Sequence, residues 1–275
     1  MKVRSLALPN AKFTLYPLSD VHWPEHEQGK LDVWLETVKA DPTAIVTLGG
    51  DLFDFARGHY RSHLNSYTDD GNSRSPVDDM AYGFVEDMAR YLKPIKHKVI
   101  MTCVGNHFWQ FTDGRVSDQE LALQLGRGDT FVGAFGMTKV KLKDRATVRI
   151  ALHHDAGRKG GTASADMNAF QHWSHACASD IYVAGHTHRQ YAGIYQTRIT
   201  VRDDEDKIGD QKLVFVRSGA YLKGYGDTIT SPERPFVPNY AEVMMLPPSV
   251  FGIISVEVSA SPTGRLRYTL KQTTL

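Results

Sequence analysis

Short apolar runs recur along the first two-thirds of the chain, each ending in glycine or polar residues. Phe13–Leu18, Ala44–Leu48, Lys98–Val104, Val148–Leu152 and Ile181–Ala184 are rich in β-branched residues and read as buried strands. Helical spacing appears between them. Leu31, Trp34, Leu35 and Val38 form one stripe, which stops at Asp41-Pro42 because a residue before proline resists the α region. Met80, Phe84, Met88 and Tyr91 form a second stripe over 78–92, ended by Pro94. Ser117-Asp118-Gln119-Glu120 has the form of a capping box opening a helix that runs to about Gly126. Gly126 to Gly136 reads as turn and loop, Val140 to Leu142 as a short strand, and Ser164 to Ala178 as a helix. Strand, helix and strand up to Leu48 make a β-α-β unit.

After His188 the texture changes. Tyr191–Val201 and Lys212–Val216 flank a charged turn, and Phe251–Val258 and Arg265–Leu270 flank Ser261-Pro262-Thr263-Gly264, so two hairpins are expected. Ala56 to Asp79 is polar without a period, and Ser231 to Pro235 is irregular. Loops as long as the first are usually functional or disordered. With no internal repeat and no linker, residues 1–275 read as one domain.

Composition adds exclusions. A chain of 275 residues can bury a sizeable core, and 41% hydrophobic with 23% charged residues is ordinary for a globular protein. A net charge of +1 gives no overall attraction to nucleic acid or anionic membrane. Two cysteines, Cys103 and Cys177, supply neither a disulfide framework nor a thiolate zinc site. No signal-peptide pattern follows Met1, and no apolar run is long enough to span a bilayer, so a soluble cytoplasmic protein is expected. Histidine is the unusual residue, with 12 copies.

Their placement matters more than their number. Asp20-x-His22, Asp51-x-x-Asp54, Asn106-His107, His153-His154 and His186-x-His188 each follow an apolar run, at one expected sheet edge. In open α/β sheets that edge is where ligands bind. Each pattern alone is what a solvated turn would show; the coincidence of all of them points to metal. The donors are oxygen and nitrogen, which suits Mn²⁺, with Fe, Zn²⁺ or Ni²⁺ also compatible. They outnumber the needs of one ion. A carboxylate bridging two ions about 3.5–4 Å apart would use them; a mononuclear site with outer histidines is the alternative.

The set resembles the calcineurin-like metallophosphoesterase family: D-x-H, G-D-x-x-D, G-N-H, a later H and G-H-x-H, in that order from Asp20 to His188. The resemblance implies a four-layer α-β-β-α sandwich of two mixed sheets flanked by helices, with the C-terminal hairpins completing the second sheet. It implies Asp20, His22 and His188 on one divalent cation, Asn106, His153 and His186 on another, and Asp51 bridging them. His107 would contact or protonate the leaving oxygen, oriented by Asp54. Of the adjacent pair, His153 is favoured as ligand because it is the first residue past the apolar run, and His154 is assigned to substrate or an outer position. Neighbours on a strand point to opposite faces, so only one should reach the metal. Two departures stand out: Phe108 replaces the acidic residue the family often has after G-N-H, and Phe55-Ala56 after Asp54 excludes the Ser/Thr protein phosphatase pattern.

The expected activity is hydrolysis of phosphomono- or phosphodiesters by metal-bound hydroxide. A nuclease would use the same site, with Arg57, Arg61, Arg74, Arg158 and Lys159 lining a groove and Tyr60, Tyr67 and Trp109 stacking on bases. Arg158 and Lys159 are the basic candidates for substrate contact. A scaffold that kept the fold without chemistry is the alternative of another class.

Overall fold

The computed structural model describes residues 2–55, 76–143, 145–155, 163–201, 208–222 and 251–275. The polar segment 56–75, the basic loop with Arg158 and Lys159, and Ser231 to Pro235 lie outside the described residues.

Two six-stranded mixed sheets form the centre. Sheet one runs in the order β1 (Lys2–Leu8), β6 (Phe135–Leu142), β7 (Ala146–His153), β8 (Ile181–Ala184), β10 (Ile208–Ser218), β9 (Gln190–Val201). Sheet two runs β12 (Leu266–Thr274), β11 (Gly252–Ala260), β2 (Lys12–Leu18), β3 (Ala44–Leu48), β4 (Val99–Cys103), β5 (Phe131–Gly133). Helices α1 (Gln28–Ala40), α2 (Pro76–Leu92) and α3 (Ser117–Gln124) belong with sheet two, and α4 (Ala163–Ala176) with sheet one.

The layering follows from alternation along the strands. Phe13, Leu15 and Ile45 of sheet two meet Ile150, Leu152, Ile181, Val183, Val214 and Val216 of sheet one in an inter-sheet core. The intervening Tyr16, Leu18, Val46 and Leu48 face the other way, onto Leu31, Trp34, Val85 and Met88 of the helices. On sheet one, Ala151, Tyr182 and Phe215 turn outward onto Phe170 of α4. Both faces of each central strand are thus buried, which is why these strands read as continuous apolar runs. Each buried Leu, Ile or Val contributes roughly 1.5–3 kcal/mol, so the inter-sheet layer holds the strand ends in a common frame.

Several expectations need correction. The five strand ends do not lie on one sheet: β2, β3 and β4 belong to sheet two, β7 and β8 to sheet one. The two C-terminal hairpins are divided as well, β9–β10 extending sheet one beside β8 and β11–β12 extending sheet two beside β2. Lys2–Leu8, which carries no strand pattern, forms an edge strand parallel to β6, and the expected loop before Gly136 contains β5. Ser117 makes no capping hydrogen bond to its helix, whose N-cap is Val116; its hydroxyl instead accepts from the amide of Trp109. Among the described residues, no helix is long and apolar enough to cross a membrane.

Candidate metal centre

Parallel register brings the loops after β2 and β3 side by side. Leu18 pairs with Leu48, so the next residues continue the ladder: Asp20 N donates to Gly50 O at 3.0 Å and His22 N to Asp51 O at 3.1 Å. From β8, Gly185 N donates to His154 O at 3.1 Å, joining the two loops of sheet one. The sheets meet where His186 N donates to both carboxylate oxygens of Asp20, each at 2.9 Å.

The backbone here is strained in a patterned way. Asp20, His22, Asp51, His186 and His188 all have φ between 47° and 71°, and outside this group only Lys143 among non-glycine residues is described with positive φ. Such conformations cost about 1–3 kcal/mol each and persist where the surroundings over-determine them. Close backbone contact does the determining. Gly50, with φ 82°, leaves no room for a Cβ, which would meet Gly105 N at 2.6 Å. A Cβ on Gly105 would come within 2.1 Å of the amide nitrogen and Oδ1 of Asp51. These two glycines let the loops after β3 and β4 touch.

Three groups of donors result. In the first, Asp20, His22 and His188 bring their ligand atoms within 4.8 Å of one another. The Nε2 atoms of His22 and His188 are 3.2 Å apart, and His188 Nε2 is 3.5 Å from Asp20 Oδ1. In the second, Asp51, His154 and His186 converge, also within 4.8 Å. Asn106 Oδ1 joins them, 3.1 Å from His154 Nε2 and 2.7 Å from His186 Nδ1. Asp51 ties this second group to the loop after β4: its Oδ1 accepts from the amides of Asn106 and His107 at 2.6 and 2.7 Å, and its Oδ2 is 2.9 Å from His154 Nε2. The third group is His22, Asp54 and His107, with His107 Nδ1 2.8 Å from Asp54 Oδ1.

The structure brings together Asp20, His22, Asp51, Asp54, Asn106, His107, His186 and His188, and it corrects the choice within the histidine pair. His153 ends β7 and turns its ring to Phe135 and Trp173, with centroids 6.3 and 6.1 Å away and its buried Nδ1 without a hydrogen-bond partner among the described residues. His154, the first turn residue, points to Asp51 instead. Its Nδ1 donates to Gly49 O at 2.7 Å, which fixes the tautomer and leaves Nε2 for the centre. A second correction concerns Trp109: its ring is buried and its Nε1 donates to Asp78, so it offers no stacking face.

Electrostatics follow the same plan. Burial works to raise the Asp51 carboxyl, but the hydrogen bond and charge of His154, with His22 and His107 nearby, hold it well below the usual range. Asp54 is likewise held low against burial by hydrogen bonds from His107 and His22. Burial resists charge on His154, yet the Asp51 hydrogen bond and Asp20 push it up to about 9. Burial pushes His186 and His188 down, towards the neutral form a metal requires.

The donor set fits divalent cations. Two imidazole nitrogens facing each other beside a carboxylate can share only one proton between them, and a cation accepting both lone pairs removes that conflict. Residues outside the motifs support the site. Asp155 Oδ1 is 3.8 Å from His186 Nε2, Ser19 Oγ donates to Asp20 Oδ2 at 2.5 Å, and the buried Arg217 donates to Gly185 O. Asp155 and Ser19 adjoin motif residues and were findable; nothing local singles out Arg217.

No family model and no curated protein matches the chain. Solved structures do. Vacuolar Protein Sorting 29 from Cryptosporidium parvum is 10% identical, with 96% of this chain and 99% of that one covered and a TM-score of 0.40. A predicted phosphoesterase from Streptococcus pneumoniae is 12% identical, covering 96% and 98%, with a TM-score of 0.40. The protein from Entamoeba histolytica corresponding to the first, complexed with zinc, is 12% identical over 94% and 99%, with a TM-score of 0.34. In its ordered motif set, the convergence of those motifs and its two mixed sheets flanked by helices, the chain resembles the calcineurin-like metallophosphoesterases.

Proposed function

We propose that this protein is a dinuclear-metal-dependent phosphoesterase acting on phosphomono- or phosphodiesters. The observation that carries the reading is a pair of oxygen–nitrogen donor groups on adjoining loops, one of them holding Asp51, with the His107–Asp54 pair alongside. Asp20, His22 and His188 would hold one cation, Asn106, His154 and His186 the other, and Asp51 both. The nitrogen and oxygen donors suit manganese, with iron, zinc and nickel compatible. When bound, two such cations acidify water and offset negative charge on phosphate oxygens.

The chain's own groups do the rest. Asp20, Asp51, Asp54 and Asp155 set carboxylates among the histidines, so cations bound there would supply the positive charge that holds a phosphate. Substrate binding is therefore coupled to metal loading. Asp54 accepts the Nδ1 proton of His107 and fixes its ring. That leaves His107 Nε2 to deliver a proton to the departing oxygen, a role that contributes typically 10²–10⁴-fold. The His107 side chain is 14% exposed, enough for a substrate atom to reach it.

A panel of phosphomonoesters and diesters, nucleic acid included, assayed with Mn²⁺, Ni²⁺ or Zn²⁺ tests the reading. Metal-dependent hydrolysis that saturates at two equivalents supports it. A protein that holds two equivalents and cleaves no ester contradicts it and favours a binding role.

A further inference from the structure

We propose that Asp78 is a positioning residue for His107, acting through the indole of Trp109; the inference rests on the proton-donor role proposed for His107. Asp78 lies in the first turn of α2 and is 1% exposed. Its Oδ1 accepts from Trp109 Nε1 at 2.6 Å and its Oδ2 from Thr112 N at 3.2 Å. An acidic residue in a first helical turn ordinarily serves the helix dipole from the surface. This one is buried and aimed at another segment.

That segment is the loop carrying His107. Phe55 N donates to His107 O at 3.2 Å, while Trp109 is tied through its own amide and carbonyl to Ser117, at 3.1 and 2.8 Å. The Trp109 ring packs against Phe55, with centroids 6.0 Å apart, and Phe55 directly follows Asp54. One anchored indole therefore touches both strands of chain that present the His107–Asp54 pair. The His107 amide is itself held by the Asp51 carboxylate at 2.7 Å; at the Trp109 end of the loop the bonds to the Asp78 carboxylate are of the same charge-assisted kind, shorter and stronger than neutral ones. The loop needs such an anchor because His107 must keep Nδ1 on Asp54 while Nε2 faces substrate, and a displacement of about 1 Å can cost 10²-fold in rate.

Trp109→Phe removes the indole donor and keeps a ring against Phe55; Asp78→Asn is the second variant. On manganese-loaded protein, Trp109→Phe should lower kcat roughly tenfold to a hundredfold for a phenyl ester. It should lower kcat far less for a p-nitrophenyl ester, whose leaving group needs little protonation, with KM and bound manganese unchanged. Combined with His107→Ala it should add no further loss. An equal loss for both esters, additivity with His107→Ala, or no loss overturns the proposal. Exchange of the His107 Nδ1 proton, followed by NMR on zinc-supplemented protein, gives a readout independent of turnover. It should quicken about tenfold in Trp109→Phe if the Asp54 hydrogen bond loosens, and an unchanged rate overturns the coupling. If wild-type protein cleaves no ester while exchange still quickens, the phosphoesterase reading fails and the coupling stands.

Discussion

The Nε2 atoms of His22 and His188 face each other across 3.2 Å. Burial resists charge on His22, but hydrogen bonding to Asp54 and the charges of Asp51 and Asp20 raise its pKa; burial lowers that of His188. Without metal, charge is therefore favoured on His22 over His188. His154 is protonated at neutral pH, pushed up to about 9. A cation must displace the protons its ligands carry. Calorimetry at pH 7 in buffers of differing ionisation enthalpy should show proton release on loading, and affinity should weaken as pH falls.

The same histidine gives a stability signature. The pKa of His154 in the folded protein is above its ordinary value of 6.5, so its contribution is complete below pH 6.5 and is lost as pH rises through about 9. Metal-free protein should lose thermal stability across that window. Metal-loaded protein, in which His154 is neutral throughout, should not. Melting temperatures at pH 6 and pH 9, with and without a chelator, check this.

The histidine pair separates cleanly by substitution. His154→Ala should lose the metal held with Asp51, Asn106 and His186, as read by elemental analysis. His153→Ala should keep two equivalents and cost about 1–3 kcal/mol of stability through lost packing against Phe135 and Trp173.

His107→Ala should retain both metals and lose about 10²–10⁴-fold in kcat. Asp54→Asn should fall short of that loss, since it removes the charge that orients His107 but leaves the ring in place. Steady-state kinetics on an ester with a poor leaving group distinguish the two.

Much of this was legible in the residues. The strands of the inter-sheet core announced themselves because both faces are buried, and the polar residues after them marked the site. Edge strand β1 did not, because Lys2, Arg4 and Ser5 interrupt its apolar positions, as edge strands often require. The division of strand ends between two sheets is a matter of long-range pairing, which local pattern does not carry. Position after the apolar run favours His153, but β7 continues through His153, and the residue that reaches the centre is the one that leaves the strand. The Ser117 hydroxyl matched a capping box by spacing, yet the Trp109 amide competes for it. Asp78 and Arg217 act on residues distant in sequence, so their roles became visible only with the fold.

The central claim is that Asp51 joins two cation sites. Anomalous diffraction from crystals grown with manganese tests it most directly, comparing wild type with Asp51→Asn. The account predicts two peaks flanking Asp51 in wild type, one beside Asp20, His22 and His188 and one beside Asn106, His154 and His186, with both weakened or lost in the variant. No peak in wild type, or a pair unaffected by Asp51→Asn, would contradict it.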